Sequence, residues 1–305
     1  MNRRIIIIPA LLFTLAVSFS ACRKDILQVD PTIPIVSVDN FYRTENDIIL
    51  AVNASYTPLS AIYNGAAWHI GDIMSDDTDL GGGGGGDGLE TAELDNFTVT
   101  SFNPILNLMW AQCYFGIFRS NIVIEKTPGV AVMREQIRRR SLGEARFLRA
   151  LYYFNLVRVF GDVPLYTQII GVDEALKLSR TPKEQVYAQI IADLQQAETL
   201  LPNRNTGEDL GRATAGTAKG LLAKVYLTLN DKPRAAAKSK EVIDNRALYG
   251  YDLWPDYADN FKLENENGRE SMFEVQYRSG GGQWSDFGAG HKLNTFFAPR
   301  AQDIV

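Results

Sequence analysis

Two stretches of the chain set aromatic rings beside carboxylates and amides. The first is Trp68, His69 and Asp72, followed by Asp76-Asp77-x-Asp79 and the glycine run Gly81 to Gly86. The second is Gln283-Trp284-Ser285-Asp286-Phe287. Aromatic rings offer apolar faces for stacking, and Asp, Gln and Ser side chains hydrogen-bond to hydroxyls. This is chemistry that holds a molecule rather than chemistry that breaks bonds. Clustered Asp oxygens also suit a hard cation such as calcium. However, "DIMSDDTDLGGGGGGDG" does not complete an EF-hand loop, so a solvated loop is expected there and no metal site is assigned. The glycine run is not followed by Gly-Lys-Ser/Thr, which excludes a phosphate loop.

No constellation for nucleophilic or metal catalysis stands out. Cys113 lies in "LNLMWAQCYFGIFRSNIVI", which reads as a buried helix, and neither His69 nor His291 is near it in sequence. No catalytic residue and no cofactor is expected. A pair of carboxylates of the glycosidase kind is the enzyme alternative that composition leaves open. The formal charge is −5, with no basic cluster beyond Arg138-Arg139-Arg140, read as a solvated helix start. That balance argues against nucleic acid as a partner.

The chain opens with "MNRRIIIIPALLFTLAVSFSAC". A basic tip precedes an apolar stretch from Ile5 to Val17, shorter than the roughly 20 residues that cross a bilayer. This is the pattern of a secretory signal peptide, covering residues 1–21. Phe19-Ser20-Ala21-Cys22 resembles the lipobox of bacterial lipoproteins, with Phe where Leu is usual. The resemblance implies cleavage before Cys22 and acylation of its thiol and amino group. Residues 22–40, broken by prolines, then read as a lipidated tether. An acylated Cys22 leaves Cys113 without a disulfide partner.

The remaining elements are mostly helical. Thr44-x-x-Asp47 marks a helix start, and Pro58 is expected to end or kink that helix. Residues 68 to 103 read as loop. A buried helix covers about 105 to 126 and closes at Pro128-Gly129. In "GEARFLRALYYFNLVRVFGDVPL" apolar residues recur every three or four positions, with Arg138, Glu144, Arg146 and Arg149 as a polar side and Gly161 as the stop. Thr181 is expected to cap a fourth helix that ends at Pro202. In "ATAGTAKGLLAKVYLTLNDKPRAAAKSKEVID", Ala223, Tyr226 and Ala235 have tetratricopeptide spacing, with Asn230-Asp231 as the turn between two helices. After Asn245 the texture becomes rich in aromatics, Gly and Asn. Phe273, Val275 and Tyr277 alternate with polar neighbours, which predicts one short strand. Trp110 and Trp254 are expected in the core.

Taken in order, these blocks resemble the SusD/RagB family of outer-membrane nutrient-binding lipoproteins. The resemblance rests on the lipobox with Asp30-Pro31, Asn40-Phe41-Tyr42, Trp110 through Asn121, "EARFLRALYYFNLVRVFGDVPL", "RTPKEQVYAQIIADLQQAETLLP", "GRATAGTAKGLLAKVYLTL", "YADNF" and "ESMFEVQY". It implies a mainly α fold of tetratricopeptide-like helix pairs in a superhelical scaffold, packed against an irregular loop-rich lobe with minor β. The SusD-like domain would span 41–305, with the scaffold mainly at 104–246 and ligand-side segments at 61–103 and 247–305. The implied function is binding of a glycan at the cell exterior, without catalysis. The glycan then passes to a SusC-like TonB-dependent transporter in the outer membrane. A peptide ligand, or a protein-binding scaffold, is the alternative. Trp68, Asp76, Asp77, Trp284 and Phe287 are the candidate ligand contacts, and Cys22 the lipidation site. Family members continue well past this length, so the chain is expected to be a partial product.

Overall fold

The structure, a computed structural model, describes residues 41–78, 80 and 88–277. Cys22, the signal and tether segments, Asp79, Gly81 to Gly86, and Gln283 to Phe287 lie outside the described residues. Among the described residues seven helices carry the fold: α1 (Glu45–Ala61), α2 (Leu89–Asp95), α3 (Pro104–Lys126), α4 (Glu135–Phe160), α5 (Lys183–Leu200), α6 (Ala215–Thr228) and α7 (Lys232–Asp244). Short helical turns at Val172–Ala175 and Arg246–Tyr249 add to them. α1 packs on α3, α3 on α4, α4 on α5, α5 on α6 and α6 on α7. Each long helix thus leans on its neighbour in sequence, the arrangement of stacked tetratricopeptide-like pairs.

The helix ends follow from local chemistry. The Thr44 hydroxyl accepts from Asp47 N–H at 3.2 Å, and Thr44 N–H donates back to the Asp47 carboxylate at 2.8 Å. Of the two outcomes expected at Pro58, an end to the helix does not occur: α1 runs through it to Ala61. The missing N–H of Pro58 frees the Ala54 carbonyl, which accepts from Arg119 at 3.0 Å and from the Thr57 hydroxyl at 2.9 Å instead. With that carbonyl satisfied, the chain winds on through π-helical turns at Ile62–Ala66 and His69–Ile73. The expected loop from 68 to 103 therefore contains a π turn and α2. Asn103 caps α3 through Ile105 and Leu106 N–H, and its amide donates to the Glu90 carbonyl and the Glu93 carboxylate of α2. Thr181 does not cap α5. It pairs with Val163 in an isolated antiparallel bridge, and Asp162 accepts from the Lys183 N–H at 2.8 Å. Asp162 therefore serves the start of a helix distant in sequence.

α4 is buried on every side from Phe147 to Val157. Such a helix sits at the centre of a core rather than on its edge. Tyr152 crosses so close to α3 that a Cβ on Gly116 would meet its ring at 2.1 Å, and its hydroxyl donates to the Ser55 carbonyl of α1 at 2.7 Å. Ala223, Tyr226 and Ala235 are all buried in the α6–α7 pair, as their spacing requires. Asn230 takes positive φ at the turn and Asp231 caps α7.

The polar side expected on α4 is instead interior. Glu144 is buried beside Tyr56, with Arg212 2.9 Å away and Arg140 3.4 Å away. Burial raises its carboxyl above the ordinary value despite the two guanidinium groups. Arg149 is buried too. Its Nε and Nη2 meet the Asp193 carboxylate of α5 at 2.8 and 2.7 Å. Its Nη1 donates to Asn121 of α3 at 2.7 Å and to the Thr167 carbonyl at 2.9 Å. Of the Arg138-Arg139-Arg140 run only Arg139 is exposed as a solvated start would be. Arg138 donates to the Thr127 and Val130 carbonyls, and Arg140 bonds Asp209.

The predicted strand is absent among the described residues. Phe273 to Tyr277 takes no regular secondary structure and pairs with no described strand. It lies across the helices instead: the Thr217 hydroxyl of α6 donates to the Met272 carbonyl at 2.7 Å, and Phe273 meets Phe147 edge-on at 5.1 Å. Alternation here records docking onto helices, not a ladder.

Removing one member of a buried ion pair strands the other, at a cost of about 3–5 kcal/mol. Urea unfolding of Arg149→Met is expected to show a loss of that size. Arg149→Met with Asp193→Leu should recover only part of it, because Asn121 and the Thr167 carbonyl lose their donor as well.

Candidate functional site

A cleft of about 1170 Å³ opens between the helices and the loops that follow α7. Its near wall comes from the π turns, which place Tyr63, Trp68 and Asp72 along it. Single π turns inside helices often mark functional positions because they re-aim side chains. Trp68 is half-buried; its indole N–H donates to the Asn64 carbonyl at 3.4 Å and its ring lies 3.6 Å from that of His69, centre to centre. The floor is α4 and α6, through Phe147, Leu151, Thr217 and Gly220, with Lys224 beside them.

The far wall is the irregular segment 254–277, centred on Trp254. Three contacts fix that ring. Its backbone N–H donates to Glu270 at 2.6 Å, Arg269 places its guanidinium 4.5 Å from the ring centre, and Gly268 lies so near that a Cβ there would come within 2.9 Å of the indole. The lip of this wall is tied by a reciprocal amide pair, Asn267 with Gln276 at 3.0 and 2.9 Å, and by Glu274 accepting from Asn267 N–H at 3.1 Å. Tyr63 and Tyr277 complete the lining. Burial raises both phenols above the ordinary value, Tyr277 to about 12, so each keeps its O–H at neutral pH. The cleft therefore offers aromatic surface, hydroxyl donors, amides and carboxylates, the set that binds a polyhydroxylated ring by stacking and hydrogen bonding. Among the described residues no group of His, Cys, Asp and Glu stands close enough to hold a metal ion.

Of the sequence candidates, Trp68 lines the cleft. Asp76 and Asp77 stand exposed in the turn beyond the π helix and are not part of the lining; Asp72 is. Trp284 and Phe287 lie outside the described residues. Trp110 packs against the core beside Tyr114 and Phe160, as expected. Trp254 is a cleft wall rather than a core residue. Its signal was the Asn-, Gly- and aromatic-rich texture after Asn245, which apolar counting overrides. Lys224 and Glu270 carried no signal, because each faces the cleft only through long-range packing. Cys113 is buried, and burial pushes its thiol up, away from reactivity.

Stacked helix pairs with an aromatic-walled cleft against an irregular segment define a helical-repeat scaffold with a binding face. Known proteins share it. A SusD-like family profile, described as "Starch-binding associating with outer membrane", matches residues 87–227. A SusD-like protein of Formosa agariphila is 32% identical over 259 residues, covering 84% of this chain and 50% of its own. The solved structure of a laminarin-binding SusD-like protein is 33% identical with a TM-score of 0.76, over 83% of this chain and 57% of that one. Surface glycan-binding protein A from Bacteroides thetaiotaomicron, solved in complex with laminarihexaose, is 27% identical with a TM-score of 0.68, over 80% and 52%. The chain belongs to the SusD-like family. It spans about half the length of the relatives it matches.

His69 supplies a pH test of how the near wall is packed. Burial holds its imidazole below the ordinary value of 6.5, although its Nδ1 lies 2.7 Å from the Gly65 carbonyl. A depressed value means the folded state resists protonation. The stability His69 contributes is therefore present above pH 6.5 and is lost as pH falls through the folded value. Urea midpoints measured at pH 7 and pH 5 should fall less for His69→Gln than for the unaltered chain.

Proposed function

We propose that this protein is a lipid-anchored outer-membrane component of a glycan-uptake system. It binds an oligosaccharide or polysaccharide in the cleft between the π turns and Trp254, without catalysis. Capture is by stacking on Trp68 and Trp254 and by hydrogen bonds from Tyr63, Tyr277 and the neighbouring amides and carboxylates. The bound glycan is handed to a TonB-dependent transporter of the SusC type. The carrying observation is the cleft itself, one volume lined by two tryptophans from separate segments together with hydroxyl-binding groups. The laminarin-binding relative and the one solved in complex with laminarihexaose support a glycan as the ligand.

Binding of laminarin by isothermal titration tests the site. Aromatic stacking contributes about 0.5–1.5 kcal/mol beyond area burial, so Trp68→Ala and Trp254→Ala should each weaken binding about 3- to 10-fold. Unchanged affinity in both variants would place the ligand elsewhere. Shorter oligosaccharides appearing on prolonged incubation would make the protein an enzyme.

The anchor is tested separately. Acyl chains at Cys22 hold the protein to membranes by roughly 0.8 kcal/mol per buried methylene. Cys22→Ala should move the protein to the soluble fraction and abolish palmitate labelling; a variant still fixed to membranes would remove the lipoprotein reading.

A further inference from the structure

The charges that line the cleft are one-sided. Asp72 comes from the second π turn, Glu266 and Glu270 from the irregular wall, and Glu274 from the segment that crosses the helices. Among the described residues of the lining, Lys224 alone is basic. Four carboxylates against one ammonium give the described residues of the lining a formal charge of −3. Two of the carboxylates are fixed in place, Glu270 by the Trp254 N–H and Glu274 by the Asn267 N–H, so they do not swing away from an incoming ligand. Arg269, the nearest further cation to Trp254, lies over that ring rather than in the lining. The whole chain carries charge of the same sign, −5. A concave site with low-dielectric walls concentrates such a field, and like charges on a ligand meet it at every repeat.

We infer that the cleft selects uncharged glycans and rejects polyanionic ones, those bearing uronate or sulfate groups. This rests on the glycan-binding reading above and adds to it the chemical class of the ligand. Neutral hydroxyls bond to the carboxylates as donors. A uronate or sulfate offers only acceptor oxygens to those same carboxylates and finds, among the described residues of the lining, one ammonium, at Lys224, to answer it. The discrimination is electrostatic, so it depends on ionic strength. It is strongest at about 0.01 M salt, where the screening length is about 30 Å, and fades at about 1 M, where it is about 3 Å.

The test uses the full chain and a panel of polymers: laminarin and starch as neutral members, alginate and carrageenan as anionic ones, and carboxymethylated laminarin as the matched pair to laminarin. Titration at low salt should find the tightest binder among the neutral polymers and carboxymethylated laminarin about tenfold or more weaker than laminarin, the gap closing at high salt. Asp72→Asn with Glu266→Gln leaves the two fixed carboxylates in place and should raise the ratio of anionic to neutral affinity several-fold. If laminarin and its carboxymethylated form bind alike, or a polyanion binds tightest, the inference fails while the glycan reading stands. If no polymer on the panel binds, the glycan reading fails and this one with it.

Discussion

The fold turns on one guanidinium. Arg149 stands on the helix that is buried all round, and its donors reach α3, α5 and the backbone of the 161–181 connection. An isolated buried charge is so costly that this side chain is tolerated only with its partners in place. The chain must therefore bring Asp193, Asn121 and the Thr167 carbonyl to one point, and that fixes how α3 and α5 are set against α4. The connection, unusually long for a helix-pair turn, is held by the same logic. The Tyr153 hydroxyl donates to the Tyr166 carbonyl and accepts from the Tyr166 N–H, Tyr114 holds the Pro164 carbonyl, and Asn121 holds the Gln168 carbonyl.

The cleft is a by-product of how that core ends. Phe147 and Leu151 line its floor from α4, each two residues along the helix from Arg149. Pro58 breaks the hydrogen-bond ladder of α1 just before the π turns, and Arg119 of α3 repairs the break. The wall bearing Trp68 thus begins where a helix lost one bond and was compensated from its neighbour. The opposite wall has no helix to hold it. It is assembled from an Asn–Gln amide pair, a glycine pressed against an indole and a carboxylate gripping backbone.

What the sequence made legible follows the range of the interactions involved. Thr44, Asn230-Asp231, Gly161 and the spacing of Ala223, Tyr226 and Ala235 act through residues within a few positions, and each performs the role its pattern foretells. Glu144 and Arg149 read as a polar side in sequence, yet both are buried, because their partners lie tens of residues away. Thr181 was misjudged because a distant Asp162 took over its role. Phe273 to Tyr277 alternates like a strand, yet the period only says that one side is buried; it does not say against what. Trp68 was singled out by its polar neighbours, whereas Trp254 was hidden by hydrophobicity that suits a wall as well as a core.

The helix pairs lean on one another in series, and α7 packs chiefly on α6. Glu198 of α5 is shared by Lys219 and Lys238, a polar rivet through the last three helices. Among the described residues α7 has a long helix on one side alone, and a helix so placed opens more readily than one packed on both sides. Yet α6 also forms part of the cleft floor, and its Thr217 hydroxyl clasps the Met272 carbonyl of the far wall. Cargo lodged in the cleft would bear on the same helix, and so slow amide exchange in the α6–α7 hairpin, at a distance from every group it touches.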